Sequence, residues 1–260
     1  LDENYQTYLN RVMRMTLPDT YRSQVQHIQE SPKFQQHPVK GWQPTDFPGY
    51  TVVTPCGAAD LENAALYDRL KPLQAQLVQQ LGKNLLIPVP SKSFHMTLAD
   101  LIWDSAYRHA SENPDFEGQL RDRIADSFQQ SRSLSQNKPI RFQALGLMVM
   151  PRAIGLCLAP TDEESYDRAL KLRRAIYQNP NVIAIGIEQQ YYFTPHITLG
   201  YFGDVEAGVD SDRLSKSLDD FNQQWVDGQP QEFWVHRAEL QKFDDMAHYY
   251  RESDWAAFKF

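Results

Sequence analysis

The sequence carries "HMTL" at residues 95–98 and "HITL" at residues 196–199, 101 residues apart and each inside an apolar run of strand character. On a β-strand, residues i and i+2 share a face, so His95 and Thr97 project together while Phe94, Met96 and Leu98 turn the other way. His196 and Thr198 do the same against Ile197 and Leu199. A chain with this pair written twice is constrained to hold two similar strands, each packed behind and polar in front. Cys56 and Cys157 are also 101 residues apart, and "YDRL" from Tyr67 is echoed by "YDRAL" from Tyr166. The spacing points to an internal duplication whose second echo slips by two residues. If the halves are related by an approximate two-fold axis, the two pairs face each other across a cleft.

The order of elements supports two halves. Tyr5, Leu9 and Val12, with Tyr8 beside them, form an apolar stripe at helical spacing, and "LPDTYRSQVQHIQE" offers an Asp or Thr cap to a second helix. These make an N-terminal helical extension over residues 1–40, ahead of a main domain over 41–260. "HPVKGWQPTDFPGY" reads as a connecting loop from its prolines and glycines. From Tyr50 the pattern is a strand "YTVV", a helix capped by Asp60 with Leu66, Leu70, Leu73, Leu77 and Leu81 on one face, and the extended run "LLIPVPSKSFHMTLADLIW". A helix with Phe116, Leu120, Ile124 and Phe128 follows, then "IRFQALGLMVM" and "AIGLCLA" as a hairpin across Pro151 and Arg152. The order then repeats: a helix from the capping box Thr161 and Glu164 through Tyr177, and "VIAIGI" and "YYFTPHITLGYF" as extended runs. A helix bearing Leu214, Leu218, Phe221 and Trp225 and one terminal strand, "EFWVHRAELQKF", complete the chain.

Composition narrows the function classes. With 42 % hydrophobic residues in 260, the chain can build a substantial core. No apolar run approaches bilayer length, and "LDENYQTYLNRVMRM" is polar where a signal peptide would be apolar; the expectation is a soluble, cytoplasmic protein without membrane contact. A net charge of -7 argues against wrapping a long nucleic acid, since that requires many Lys and Arg against phosphates. A small anionic ligand remains compatible. The two cysteines lack zinc-ligand spacing, and there is no HExxH, no carboxylate cluster and no Walker loop, so neither a metal nor a cofactor is expected.

An imidazole titrates near neutral pH, so two of them can divide a reaction, one taking a proton while the other gives one. Displacement at a phosphodiester fits such a pair, with the threonine hydroxyls donating to the non-bridging oxygens as their charge grows. Tyr192 shares the face of His196 if the strand is regular, placed to stack on a nucleobase. Arg152, in the turn between the central strands, is the candidate for neutralising phosphate charge.

The doubled motif, with "PHITLGYF" as its closest stretch, resembles the paired His-x-Thr strands of the 2H phosphoesterase superfamily over roughly residues 48–245. The resemblance implies an α+β, bilobal fold, with two pseudo-symmetric antiparallel sheets flanking a central cleft and helices outside. It implies His95 and His196 as the catalytic pair and Thr97 and Thr198 as phosphate ligands. The expected activity is metal-independent hydrolysis of a cyclic phosphodiester, with a small nucleotide or RNA-end cyclic phosphate as the partner. Two departures bear on the substrate: many relatives have a basic residue shortly after the second motif, where this chain has Gly200 and Tyr201, and Asp100 follows the first. The alternatives are a non-catalytic nucleotide or RNA-end binding module and an RNA-end ligase running the displacement in reverse.

Overall fold

Strand β7 explains the architecture best, because every residue from Ala153 to Pro160 is buried and a strand apolar on both faces must lie inside a sheet. The computed structural model describes residues 2–229 and 231–260; Leu1, the first residue of the expected extension, lies outside them. Helices α1 (Tyr5–Arg14) and α2 (Pro18–Gln24) lead into a hairpin of β1 (Phe34–His37) and β2 (Gly41–Pro44). Then come β3 (Gly49–Val53), α3 (Ala64–Leu81), β4 (Leu86–Pro88), β5 (Thr97–Trp103), α4 (Asp104–Ala110) and α5 (Phe116–Gln130). The central hairpin is β6 (Ile140–Met150) and β7 (Ala153–Pro160), followed by α6 (Glu163–Tyr177), α7 (Pro180–Ile183), β8 (His196–Phe202) and α8 (Ser211–Val226). Four strands close the chain: β9 (Glu232–Val235), β10 (Arg237–Asp245), β11 (His248–Tyr250) and β12 (Ala257–Lys259).

The strands form two five-stranded antiparallel sheets besides the small hairpin. One runs β11-β10-β3-β5, with β12 also paired to β10; the other runs β4-β8-β7-β6-β9. The fold is α+β with a sheet in each lobe, as the resemblance implies. Helix α3 packs on β4 and α8 of the second sheet, and α6 lies between α5 and β5 on one side and β6 and β7 on the other. Helices α1 and α2 lie against α6, β7, α8 and β6, with Tyr8, Val12, Tyr21 and Val25 buried in the common core. Among the described residues no helix is long and apolar enough to cross a membrane.

The duplication is visible in a detail of the ladders. Between β3 and β5 the pairing passes from Thr97 to Ala99 and skips Leu98; between β7 and β8 it passes from Thr198 to Gly200 and skips Leu199. Each motif therefore ends in a β-bulge at the same leucine, which bends the strand just beyond the threonine. The bulge carbonyls are taken up crosswise. Gln74 of α3 donates to Leu199 O at 2.6 Å and to Val89 O at 2.9 Å, while Arg173 of α6 donates to Leu98 O. The helix of each half thus secures the motif strand of the other.

Several sequence expectations change. "HPVKGWQPTDFPGY" contains most of a β-hairpin, whose turn is held by His37 Nδ1 accepting from the Val39 and Lys40 amides, with its prolines at the turn and a strand end. "LLIPVPSKSFHMTLADLIW" is two strands in different sheets, separated by a tight turn at Ser91–Ser93. "VIAIGI" is not a strand: Asn179 caps a short helix and Pro180 supplies its first residue, which overrides the β-branched composition. The run "YYFTPHITLGYF" becomes a strand only at His196. "EFWVHRAELQKF" breaks at His236, with β9 in one sheet and β10 in the other. The caps shift as well. Helix α2 starts at Pro18 without a side-chain cap; Asp60 accepts from Asn63 and Tyr67 ahead of α3 without capping it; and Asp162, not Thr161, accepts from Ser165 N to start α6.

Replacing Gln74 with Leu should strand the Val89 carbonyl and weaken the hold on Leu199. We expect a loss of about 1–3 kcal/mol in urea unfolding, with the native fold retained by circular dichroism.

Candidate active site

The two motifs meet at one point. Met96 and Ile197, the middle residues of the two His-x-Thr triplets, form an isolated antiparallel bridge between the sheets. Because the two triplets run antiparallel through that bridge, His95 lies on the Thr198 side and Thr97 on the His196 side. The four polar side chains occupy the corners of one small face and keep partial exposure. Behind them Phe94, Met96, Leu98, Ile197 and Leu199 are fully buried. The structure therefore brings together His95, Thr97, His196 and Thr198.

Both imidazoles are anchored alike. His95 Nδ1 lies 2.7 Å from Ser93 O and His196 Nδ1 lies 2.8 Å from Thr194 O, the carbonyl two residues before the histidine in each case. A carbonyl only accepts, so Nδ1 carries the proton and the neutral ring presents an unprotonated Nε2. Burial pushes the His95 pKa down to about 4; the Ser93 carbonyl opposes this and His196 adds to it. Burial also lowers that of His196, against the raising effects of Thr194 O and Asp100 and with a further lowering from Lys33. The pair is thus biased towards neutral rings, with acidic Asp100 favouring a proton on His196.

Surrounding residues fix these rings. A Cβ on Gly155, which pairs with Thr198, would lie 3.1 Å from His196 Cδ2 and 3.2 Å from Ile197 O, closer than ordinary contact, so a side chain there would press on the ring. The Tyr249 ring on β11 sits 4.6 Å from the His95 ring, a contact the sequence signals only as the aromatic run "HYY". Arg11 of α1 donates to Thr194 Oγ1 at 2.8 Å and Phe193 O at 2.9 Å while pairing with Glu3, which steadies the turn whose carbonyl orients His196. Nothing in the helical stripe of α1 announces that contact.

Tyr192 and Arg152 are not brought onto this face by a regular strand. Tyr192 precedes the start of β8, is half-exposed, and carries the Arg11 guanidinium over its ring at 5.6 Å. Arg152 occupies the β6–β7 turn beyond the Ala153–Tyr201 pair, about 20 Å along β8 from His196. Its side chain is exposed and its carbonyl accepts from Phe202 N.

The depressed pKa of His95 links stability to pH. The folded chain resists protonating this ring and the unfolded chain does not, so proton uptake favours unfolding. The contribution is complete above about pH 6.5 and is lost as the pH falls through about 4. Partial exposure of the ring caps it at about 3 kcal/mol. We expect Tm to fall from pH 6.5 to 4 more steeply in the wild-type chain than in His95→Gln, measured by scanning calorimetry.

A family model described as "2H-phosphodiest: Domain of unknown function (DUF1868)" matches residues 33–140, a span that holds the first motif and ends before the second. No curated protein matches the sequence. Among solved structures, the chain is similar to a conserved protein of unknown function from Agrobacterium tumefaciens, with a TM-score of 0.56 and 17% identity over 89% of this chain and 96% of that one. Escherichia coli LigT complexed with NADP+ aligns at a TM-score of 0.45 and 13% identity, covering 81% of this chain and 96% of that one. Usb1 of Kluyveromyces marxianus aligns at 0.46 and 11%, covering 83% and 98%. The chain, with a His-x-Thr strand from each of its two sheets on one face, is similar over residues 33–140 to the 2H-phosphodiest family and shares its overall fold with the Agrobacterium protein.

Proposed function

We propose that this protein hydrolyses a cyclic phosphodiester, of the nucleoside 2',3'-cyclic phosphate or RNA-end type, by acid and base catalysis from its two histidines. The observation that supports this reading is the matched anchoring: each ring holds its Nδ1 against the carbonyl two residues before it, which leaves Nε2 free for proton transfer. Neutral His95 takes a proton from water through Nε2 as the oxygen attacks phosphorus. His196, entering as the imidazolium, gives its Nε2 proton to the ribose oxygen as the opposite P–O bond breaks. Water thus becomes part of a phosphomonoester, the ribose regains a hydroxyl, and one proton has moved from His196 to His95; exchange with solvent resets the pair. The assignment follows from the lower pKa of His95 and the Asp100 charge that favours a proton on His196. Thr97 and Thr198 donate to the non-bridging oxygens, whose charge increases towards the transition state.

Phosphorus NMR of the protein in EDTA with each of the four nucleoside 2',3'-cyclic phosphates tests this directly. We expect conversion of the cyclic signal to a single monoester, and a fall of roughly 100- to 10,000-fold in His95→Ala and His196→Ala. The pH profile of kcat/KM should peak on the acid side of neutrality, since His95 must be neutral and His196 protonated in the free protein. Signal broadening without conversion would instead favour a binding module.

Gly155→Ala provides a separate check on geometry. The added methyl group should displace the His196 ring and lower kcat at least about tenfold, because small misplacements of a reacting group are costly. Tm should remain within a few degrees of wild type in the same preparation.

A further inference from the structure

Strand β5 is exposed at every third residue. Thr97, Asp100 and Trp103 stay partly or fully exposed, while Leu98, Ala99, Leu101 and Ile102 are buried. A regular strand alternates by two; here the pairing with β3 skips Leu98 and then Leu101, and each bulge lengthens the interval by one residue. Register across the sheet then sets Thr97 in a row with Val53 and Glu239, and Asp100 in the next row with Thr51 and Gln241. Tyr50 and Lys242 turn to the opposite face, where both reach Glu117 of α5. The two rows therefore share the face that carries His95 and Thr97, and along β3 they stand two residues, about 7 Å, apart.

Asp100 is the unpaired charge of these rows. Glu239 is held by Arg237 at 2.9 Å and by Arg251 at 4.0 Å. The Asp100 carboxylate has no hydrogen bond or ion pair among the described residues; only its backbone carbonyl is bound, by the Tyr177 hydroxyl at 2.7 Å. Neither row contains a Lys or Arg, and the next exposed residue of β5, Trp103, stacks on Tyr191 with ring centres 6.4 Å apart. A carboxylate accepts hydrogen bonds and repels a second negative charge beside it.

We propose that Asp100 sets substrate choice by charge, accepting a hydrogen bond from a neutral group of the nucleoside attached to the cyclic phosphate and repelling a second phosphate at that place. The proposal deepens the phosphodiesterase reading and rests on it for the reaction. With Thr97 donating to the cyclic phosphate, a group one row away meets Asp100. A nucleoside 2',3'-cyclic phosphate with a free 5'-hydroxyl suits such a site, and a 5'-phosphorylated nucleotide or an RNA end does not. The repulsion between Asp100 and the cyclic phosphate itself is common to all of these and cancels in their ratio.

The test compares kcat/KM for adenosine 2',3'-cyclic phosphate with and without a 5'-phosphate, in the full chain. We expect the wild-type chain to favour the 5'-hydroxyl form roughly tenfold, as for like charges about 7 Å apart at an intermediate effective dielectric. Asp100→Asn should bring the preference within about twofold, Asp100→Glu should keep it, and about 1 M salt should shrink it in the wild-type chain. Removing the carboxylate also affects the His196 proton and so the rate with both substrates, which makes the ratio the readout. An equal ratio in the wild-type chain and Asp100→Asn, or a wild-type preference for the 5'-phosphate, overturns the proposal and leaves the hydrolase standing. If neither substrate turns over, calorimetry with adenosine 3'-monophosphate and adenosine 3',5'-bisphosphate takes over. A Kd ratio that collapses in Asp100→Asn then keeps the charge selection and sinks the hydrolase; an unchanged ratio, or no binding of either ligand at millimolar concentration, overturns both. Should Asp100→Asn fail to fold, Asp100→Ser takes its place in both arms.

Discussion

The antiparallel bridge between Met96 and Ile197 is the constraint on which the active-site face depends. It is a single contact, so the sheets touch at the base of the cleft and pair separately beyond it. Because the bridge joins the middle residue of each triplet, the flanking histidines and threonines are placed by register and need no direct contact with one another. The carbonyls of Ser93 and Thr194 then set the rotation of each ring. Position comes from strand pairing and proton placement from the turn before the strand, two independent local devices used twice.

The crossed grip of α3 and α6 on the two bulges ties the halves together. A bulge leaves a carbonyl outside its ladder, and buried carbonyls need a partner. Gln74 joins the Val89 amide in meeting this need at Leu199, and Arg173 meets it at Leu98, each side chain coming from the opposite half of the sequence. A shift of either helix therefore acts on the motif strand that belongs to the other half of the sequence.

Much of this was legible in the chain because it follows short-range periodicity. The alternation around His95 and His196 gave their faces; the leucines of α3 and the aromatic and aliphatic residues of α5 and α8 gave helices; and the long apolar runs gave the central hairpin. What escaped depends on distant partners. Arg11 and Tyr249 reach the site from α1 and β11, and no spacing connects them to the motifs. "VIAIGI" misled because a cap and a proline immediately before it outweigh strand propensity. The division of the chain into sheets was hidden too, since runs with continuous strand character switch sheets at Ser91–Ser93 and at His236.

The switch at His236 affects how the molecule is made. Strand β10 is an inner strand of the sheet that contains β3 and β5, yet it lies near the end of the chain, while the neighbouring β9 completes the other sheet. During vectorial synthesis β3 and β5 emerge early and wait with an open edge for a partner almost two hundred residues away. Such long-range pairing slows folding and leaves apolar strand surface exposed in the nascent chain. The face where the two motifs meet is consequently among the last features to be completed, and a ribosome-bound chain has both motifs before both sheets are finished.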